Sequence, residues 1–434
     1  MNALKRQTLL LALACAGALA AAETEIRVDE TTTLAALNAR EIAPGTKVLF
    51  KRGGVWRGQL RSRSGLPGRP VVYGAYGTGA KPVIEPSYDR SRAADWTDQG
   101  NGVWRTETGA KADIGNIILD HGAAGCAFKR GAREALTRDL DFWCDPKTFA
   151  VYFRTGDNPA RRWRSLELAE KIHGVDISAH DVVYDGLAVR YTAAHGFGGS
   201  SMKRITIRNC DISWIGGGYL YFDKLGNGVR FGNGIEFWGN AEDALVESNR
   251  VWEVWDAGFT NQSSGRNDVQ RNIVYRGNEA WNCEYSYEYW QQGDGSVTEN
   301  ILVDGNVFRD AGKGWGHRQR WNPNAAHLMF YDSTAKTTNF VVRGNVFAQS
   351  EDVLFRLFND WRANLTFEKN RWVTDRAPFC RFHGRPTANL RYRYPDRLDQ
   401  IHDDNAAEIE SQGSGARLFT KDQEAAFKAF IGER

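Results

Sequence analysis

A short apolar phrase keeps returning in the second half of the chain and limits what it can fold into. It reads Gly234-Ile235-Glu236-Phe237-Trp238, Gly258-Phe259-Thr260-Asn261-Gln262, Tyr287-Glu288-Tyr289-Trp290, Leu328-Met329-Phe330-Tyr331 and Phe355-Arg356-Leu357-Phe358. Between these phrases stand Asn249-Arg250-Val251-Trp252, Asn272-Ile273-Val274-Tyr275, Asn306-Val307-Phe308 and Asn345-Val346-Phe347. Self-similarity at tens of residues marks a solenoid, in which each repeat buries its apolar side against its neighbours. The period of two and the Val, Ile, Phe, Tyr and Trp content make the repeats strands. The expected fold is all-β, a single-stranded parallel β-helix with loop insertions and a short C-terminal helix.

The N-terminus has a basic start (Lys5-Arg6), an apolar run from Leu9 to Leu19 and the small residues Ala20-Ala21-Ala22. This is the pattern of a signal peptide over residues 1–22, with cleavage after Ala20 or Ala22. The run is too short to anchor in a bilayer, and no later segment reaches the roughly 20 apolar residues a membrane helix needs. Ala12-Leu13-Ala14-Cys15 fits a lipoprotein acylation context poorly. A secreted or periplasmic monomer, off the membrane once cleaved, is expected. The mature chain keeps Cys126, Cys144, Cys210, Cys283 and Cys380, an odd set at irregular spacing. That is no disulfide framework, although Cys126 and Cys144 are candidates for a bridge. With 56 basic and 53 acidic residues the net charge is only +3, which removes any bulk electrostatic case for nucleic acid.

Residues 23–165 read as an N-terminal cap with the first coils, including a short helix at Leu34–Leu37 and a hairpin through Phe142 and Val151. Residues 166–400 read as the β-helix core. Its long excursions, Gly216–Phe231, Gln291–Ser296 and Asp310–Ala326, are expected to wall an external groove. In the tail, 401–434, Thr420-Lys421-Asp422-Gln423 resembles a capping box ahead of Ala426, Phe427 and Phe430. A helix there would cover the open strand edges.

The stretch from Pro44 through Lys47-Val48-Leu49-Phe50-Lys51-Arg52-Gly53-Gly54-Val55-Trp56-Arg57-Gly58, with the Asn-Val-Phe coils, resembles the secreted right-handed parallel β-helix proteins of the pectate-lyase-like superfamily. The resemblance covers most of the mature chain and implies polysaccharide-directed activity. The superfamily holds lyases, hydrolases, epimerases and non-catalytic adhesins, so fold alone does not choose among them. The paired Asp motifs of polygalacturonase-type hydrolases and the Asp-Pro-His-Asp signature of mannuronan epimerases are absent.

Strand parity supplies the candidate site. With Ile235 and Phe237 inward, Glu236 and Trp238 point out. Their equivalents are Thr260 and Gln262, Glu288 and Trp290, Met329 and Tyr331, and Arg356 and Phe358. Coils stack about 4.8 Å apart, so Glu236 and Glu288 lie two rungs, about 10 Å, apart at the backbone. Inverting glycosidases use carboxyls about 6.5–9.5 Å apart, and this pair can meet that spacing. Asp256 and Glu284, each four residues upstream of its phrase, form a second pair on adjacent rungs, nearer the retaining spacing of about 5–5.5 Å. Like charges so close would raise one pKa and leave an acid beside a base. Trp238, Trp290 and Tyr331 are candidate stacking platforms for sugar rings.

The charged segment Lys313-Gly314-Trp315-Gly316-His317-Arg318-Gln319-Arg320 leads to His327. His317, Arg318, Arg320 and His327 are candidates to orient acidic or polar substituents, since Arg offers a planar fork. His195 reads as a coil-turn residue. The Asn residues at 249, 272, 306, 345 and 370 read as a structural amide ladder. No Walker loop, dinucleotide fingerprint or HExxH motif occurs, and no cofactor is expected. The expectation is therefore a polysaccharide-degrading glycoside hydrolase. A lyase or C5 epimerase on a uronic-acid polymer, where a calcium ion would have a place, is the alternative. An adhesive carbohydrate-binding solenoid is the third reading.

Overall fold

A computed structural model describes residues 24–222, 224, 228–320, 323–331, 333–358, 364–375, 380–382 and 417–433. The leader read over 1–22, and residues 401–416 of the tail, lie outside the described residues. Among the described residues, twenty-five strands form one sheet wound as a right-handed parallel β-helix. All its ladders are parallel except the last, where Arg417–Phe419 runs antiparallel to Cys380–Phe382.

Each coil contributes to three faces. The first stacks Ile235–Trp238, Phe259–Gln262 and Tyr287–Trp290, then Leu328–Phe330 and Phe355–Leu357. The second carries the row Ile207, Val246, Tyr275, Val303, Val342, Phe367, and the third the row Ile212, Val251, Ala280, Phe308, Phe347, Trp372. All of these rows face one continuous buried core. Each large apolar side chain so buried contributes about 1.5–3 kcal/mol. At the junction into the first face, Gly174, Gly196, Gly234 and Gly258 stack on one another. A Cβ on Gly196 would meet the Gly234 carbonyl at 2.6 Å, so only glycine fits.

The chain leaves the solenoid after Val83–Glu85 and rejoins it at Val175–Asp176. The excursion builds a three-stranded and a five-stranded sheet over their own apolar core. It contains the hairpin Asp141–Cys144/Val151–Arg154, and its last strand, Leu166–Glu170, pairs antiparallel inside it. Arg57, bonded to Glu85 and Glu167, ties the excursion to the first coils. At the other end the Thr420 capping box leads into helix Glu424–Ile431, whose Phe427 enters the core against Trp372 and Phe419. The Cys126–Cys144 bridge is not formed: all five described cysteines are free, and four of them are buried as small apolar groups.

The amide ladder runs through Asn249, Asn278, Asn306, Asn345 and Asn370, with Nδ2–Oδ1 distances of 2.9–3.0 Å. Asn278 takes the rung assigned above to Asn272. Asn272 is exposed and belongs to a separate surface row with Asp243 and Asn300. Asn306 donates to Tyr275 O and Asn345 Oδ1 and accepts from both the backbone N–H and the side-chain amide of Asn278. Asn306→Ala therefore strands buried partners and is expected to cost about 2 kcal/mol. Asn272→Ala should stay within about 0.5 kcal/mol, the usual range for such surface changes. Urea unfolding midpoints of the two variants check the contrast; equal midpoints would remove the ladder's role.

Candidate active site

The register places the repeated phrases in line. Glu236 pairs with Thr260, Thr260 with Glu288, Glu288 with Met329, and Met329 with Arg356. Their neighbours Phe237, Phe259, Tyr287, Tyr289, Leu328 and Phe330 point into the core. Glu236 and Glu288 thus stand on one outer wall, two rungs apart. They are not solvated, being 6 % and 5 % exposed. Met329 and Arg356, in the same outward row, are also buried, with Arg356 paired to Asp352. Trp238 remains 36 % exposed and lies 6.1 Å from the Trp290 ring at 41°. Gln262 separates them on the intervening rung and donates to Glu288 Oε2 at 2.8 Å. Tyr331 is half-buried, with its ring stacked on Phe358 and its hydroxyl 3.2 Å from that of Tyr285.

A bulge after Val254 shifts the ladder by one residue and leaves Asp256 beside Glu284, with Ala257 facing Tyr285. Arg320 joins the two carboxylates, its Nη2 2.9 Å from Asp256 Oδ1 and its Nε 3.9 Å from Glu284 Oε2. Glu284 also accepts from the Asn324 N–H at 2.7 Å and lies 2.9 Å from His317 Nδ1. Burial alone would raise Glu284, but Arg320, His317 and the Asn324 amide hold it below the ordinary carboxylate value. Burial raises Asp256 against the pull of Arg320, with Glu284 adding to the rise. Glu288 is pushed well above its usual value by burial, then by Asp256 and Glu236. Glu236 is lifted to about 7 by burial, opposed by the Asn233 amide and His173. One arginine thus serves Asp256 and Glu284, while Glu236 and Glu288 have no guanidinium bonded to them among the described residues.

Asp256 opens into a cavity of about 270 Å³ lined also by Lys129, Tyr219, Arg230, Trp255, Gln319, Arg320 and Tyr331. Its walls come from three insertions. The hairpin Gly218–Phe222/Gly228–Phe231 supplies Tyr219 and Arg230, the helix Trp315–Gln319 supplies Gln319, and the 86–170 excursion supplies Lys129. Gln319 ties them together, accepting from Arg230 Nη1 at 2.9 Å and donating to Ala127 O at 2.8 Å. The helix is itself seated by Glu253, which accepts the Trp315 N–H at 3.1 Å. A larger cavity of about 550 Å³ lies at the root of the excursion, where Arg57 and Arg190 are already paired with Glu85 and Glu167.

Several expected site residues are placed elsewhere. The segment expected as a loop is a short helix packed on strand Arg250–Ser263. Arg318 points off it, exposed, toward Phe128 and Arg138 and away from the carboxylates. His327 is fully buried, bonded to Ser286 and packed against the core residue Phe347, so it cannot orient a substrate. His317 and Arg320 hold carboxylates. Sequence reasoning missed His173, Asn233, Lys129 and Arg230, and placed His195 in a turn without a partner. The signal for three of these was present: His173-Gly174, His195-Gly196, Asn233-Gly234 and Ala257-Gly258 repeat one phrase, and those residues stack in register.

The fold and this wall define a parallel β-helix protein with a carboxylate cluster on one outer face. No family model matches the chain, and no curated protein matches it. Among solved structures it is similar to a complex of XylC with xylose, at 10% identity and TM-score 0.48, covering 83% of this chain and 72% of that one. A glycoside hydrolase follows at 9% identity and TM-score 0.45, covering 81% and 96%. A polygalacturonase from Erwinia carotovora ssp. carotovora gives 11% identity and TM-score 0.27, covering 81% and 93%. Similarities of this size carry no statement about activity.

Proposed function

We propose that the protein is an exported carbohydrate-active enzyme that hydrolyses glycosidic bonds of a polysaccharide, with Glu288 as general acid and Asp256 as the ionised partner. One observation carries this reading: two electrically linked carboxylates on one wall have opposite surroundings. Glu288 is buried and, among the described residues, bonded to a neutral amide, Gln262. Asp256 faces the cavity with Arg320 at 2.9 Å. Burial raises both, Glu288 well above its usual value, while at Asp256 the bonded Arg320 opposes the rise, and such a difference in surroundings supports Glu288 as the acid and Asp256 as its partner. Glu236, the partner suggested by parity, is raised by burial as Asp256 is but has no guanidinium bonded to it among the described residues, so Asp256 is the better seat for the charge. Glu284 is the anchor of Arg320 and His317. Trp238, Trp290 and Tyr331 offer ring faces beside the acid, and a polar rim with aromatic faces suits sugars.

An elimination would draw its base for a uronate C5 proton from His317, His327 or Tyr331; His327 sits inside the coil and His317 is engaged by Glu284, which leaves Tyr331 at the cavity as the base of that reading, while the carboxyl pair favours hydrolysis. The test is incubation of the mature protein with neutral and acidic glycans, reading reducing ends and unsaturated-sugar absorbance together. New reducing ends without absorbance are expected. Absorbance would mean elimination, and binding without either signal would mean an adhesive solenoid.

A further inference from the structure

Glu236 and His195 face each other in a way that settles where a proton must lie. Glu236 Oε2 is 3.1 Å from Nδ1 of His195, and both residues are buried, at 6 % and 7 % exposed. The backbone N–H of Asn233 points at the same Nδ1, at 3.0 Å. A nitrogen that accepts a backbone N–H carries no proton of its own, so the ring is the neutral tautomer protonated at Nε2. The orientation of Asn233 is fixed as well. Its Oδ1 accepts the Ala257 N–H at 2.8 Å, which turns its Nδ2 to donate to Glu236 Oε2.

An ionised carboxylate would then press its lone pairs against the lone pair of Nδ1 in a buried site, with no cation to repay it. Among the described residues, the charged and titratable groups around Glu236 are His173 and His195 on the preceding coils, Asp256 and Glu288 on the following ones, and the buried Tyr275. No Lys or Arg is paired with it among the described residues, whereas Asp256 and Glu284 share Arg320.

We propose that Glu236 is held as a neutral carboxylic acid whose O–H shares the single lone pair of His195 Nδ1 with the Asn233 N–H, making His195 a positioning residue that confines the negative charge of this wall to Asp256 and Glu284. No bond is made or broken beyond that proton's placement: O–H on Glu236, lone pair on Nδ1. Burial acts in the same direction, lifting Glu236 and driving His195 down to about 3. The functional consequence rests on the proposed hydrolase reading. A charge on Glu236 would raise Asp256 and Glu288 together and take the ionised partner away at working pH.

The protonation itself is read without substrate. In the full-length mature protein labelled with 15N-histidine and with 13C at glutamate carboxyls, His195 is expected to show an unprotonated Nδ1 and a protonated Nε2 from mildly acidic to neutral pH. The Glu236 carboxyl is expected to be in its acid form at mildly acidic pH and to ionise only toward neutral, assigned by its absence from Glu236→Gln. A protonated Nδ1, or an ionised Glu236 at mildly acidic pH, overturns the proposal. Rate profiles then test the consequence. In His195→Phe, which lacks the acceptor, the acidic limb of kcat/KM should move to higher pH by about one unit. His195→Asn, whose Oδ1 can stand at the Nδ1 position, should return it. Glu236→Gln, which carries no charge but whose amide nitrogen cannot both donate to Nδ1 and accept the Asn233 amide, should not move the limb to higher pH. A limb that stays put in His195→Phe overturns the positioning role even when the NMR result stands. Absence of any hydrolysis fails only the reading of activity and leaves the labelled spectra to decide the proton.

Discussion

Glu288→Gln is expected to remove hydrolysis by about a thousandfold, within the 10²–10⁴ range that a positioned general acid contributes. The substitution keeps the shape, and a glutamine carbonyl can still accept the Gln262 amide that now bonds Glu288 Oε2. It removes the proton donor and a buried acid. Because Glu288 is raised well above its ordinary value, chiefly by burial, it weakens the native state as pH rises and the group must ionise in the unfolded chain. Stability from a raised carboxyl is greatest below the ordinary value and is lost as pH climbs through the folded one. The variant should therefore be at least as stable as the native protein at neutral pH, with the same circular dichroism. Loss of activity with a retained or raised Tm separates a chemical role from a structural one. Full activity in a folded Glu288→Gln protein would exclude it as the acid.

Parity made much of this wall legible. Alternation in Ile235–Trp238 and Tyr287–Trp290 requires Glu236 and Glu288 to share a face, because a strand's side-chain period is two and coils stack in parallel. What alternation cannot report is what covers that face. The cavity at Asp256 is walled by the 86–170 excursion, the Gly218–Phe231 hairpin and the helix Trp315–Gln319, which meet through Gln319 over separations of about a hundred residues or more. His327 shows a second limit. It lies at the start of the outward phrase, but the corner before Leu328 turns it into the coil against Phe347. Asn278 was obscured because the Asn272 phrase looks equally regular and only its exposure differs. His173 and His195 were readable in principle, since the stacked glycines behind them form a repeat as regular as the strands.

Arg320→Met should be the most damaging single change at this wall. The Arg320 side chain is 7 % exposed and lies between Asp256 at 2.9 Å and Glu284 at 3.9 Å, with its guanidinium over Trp255 and its Nη2 donating to the Trp255 carbonyl. Removing one member of a buried charged set leaves the others unpaired, which costs about 3–5 kcal/mol. The pH dependence follows from Glu284, which Arg320, His317 and the Asn324 amide keep below its ordinary value despite burial. A depressed carboxyl gives stability that is present above its unfolded pKa and is lost as pH falls through the folded value. Without Arg320 that contribution shrinks, so the deficit against the native protein should be full at neutral pH. It should narrow below about pH 5, where carboxyls begin to protonate in both proteins. Urea unfolding at neutral and acidic pH measures this directly, and a deficit independent of pH would show that Arg320 matters for packing on Trp255 rather than for charge. Activity should fall as well, because Asp256 then loses the cation that opposes its burial and its carboxyl rises further, away from the ionised form. The two losses are separable. Activity should vanish across the neutral range even where the variant remains folded, while Glu288→Gln loses activity with its stability intact.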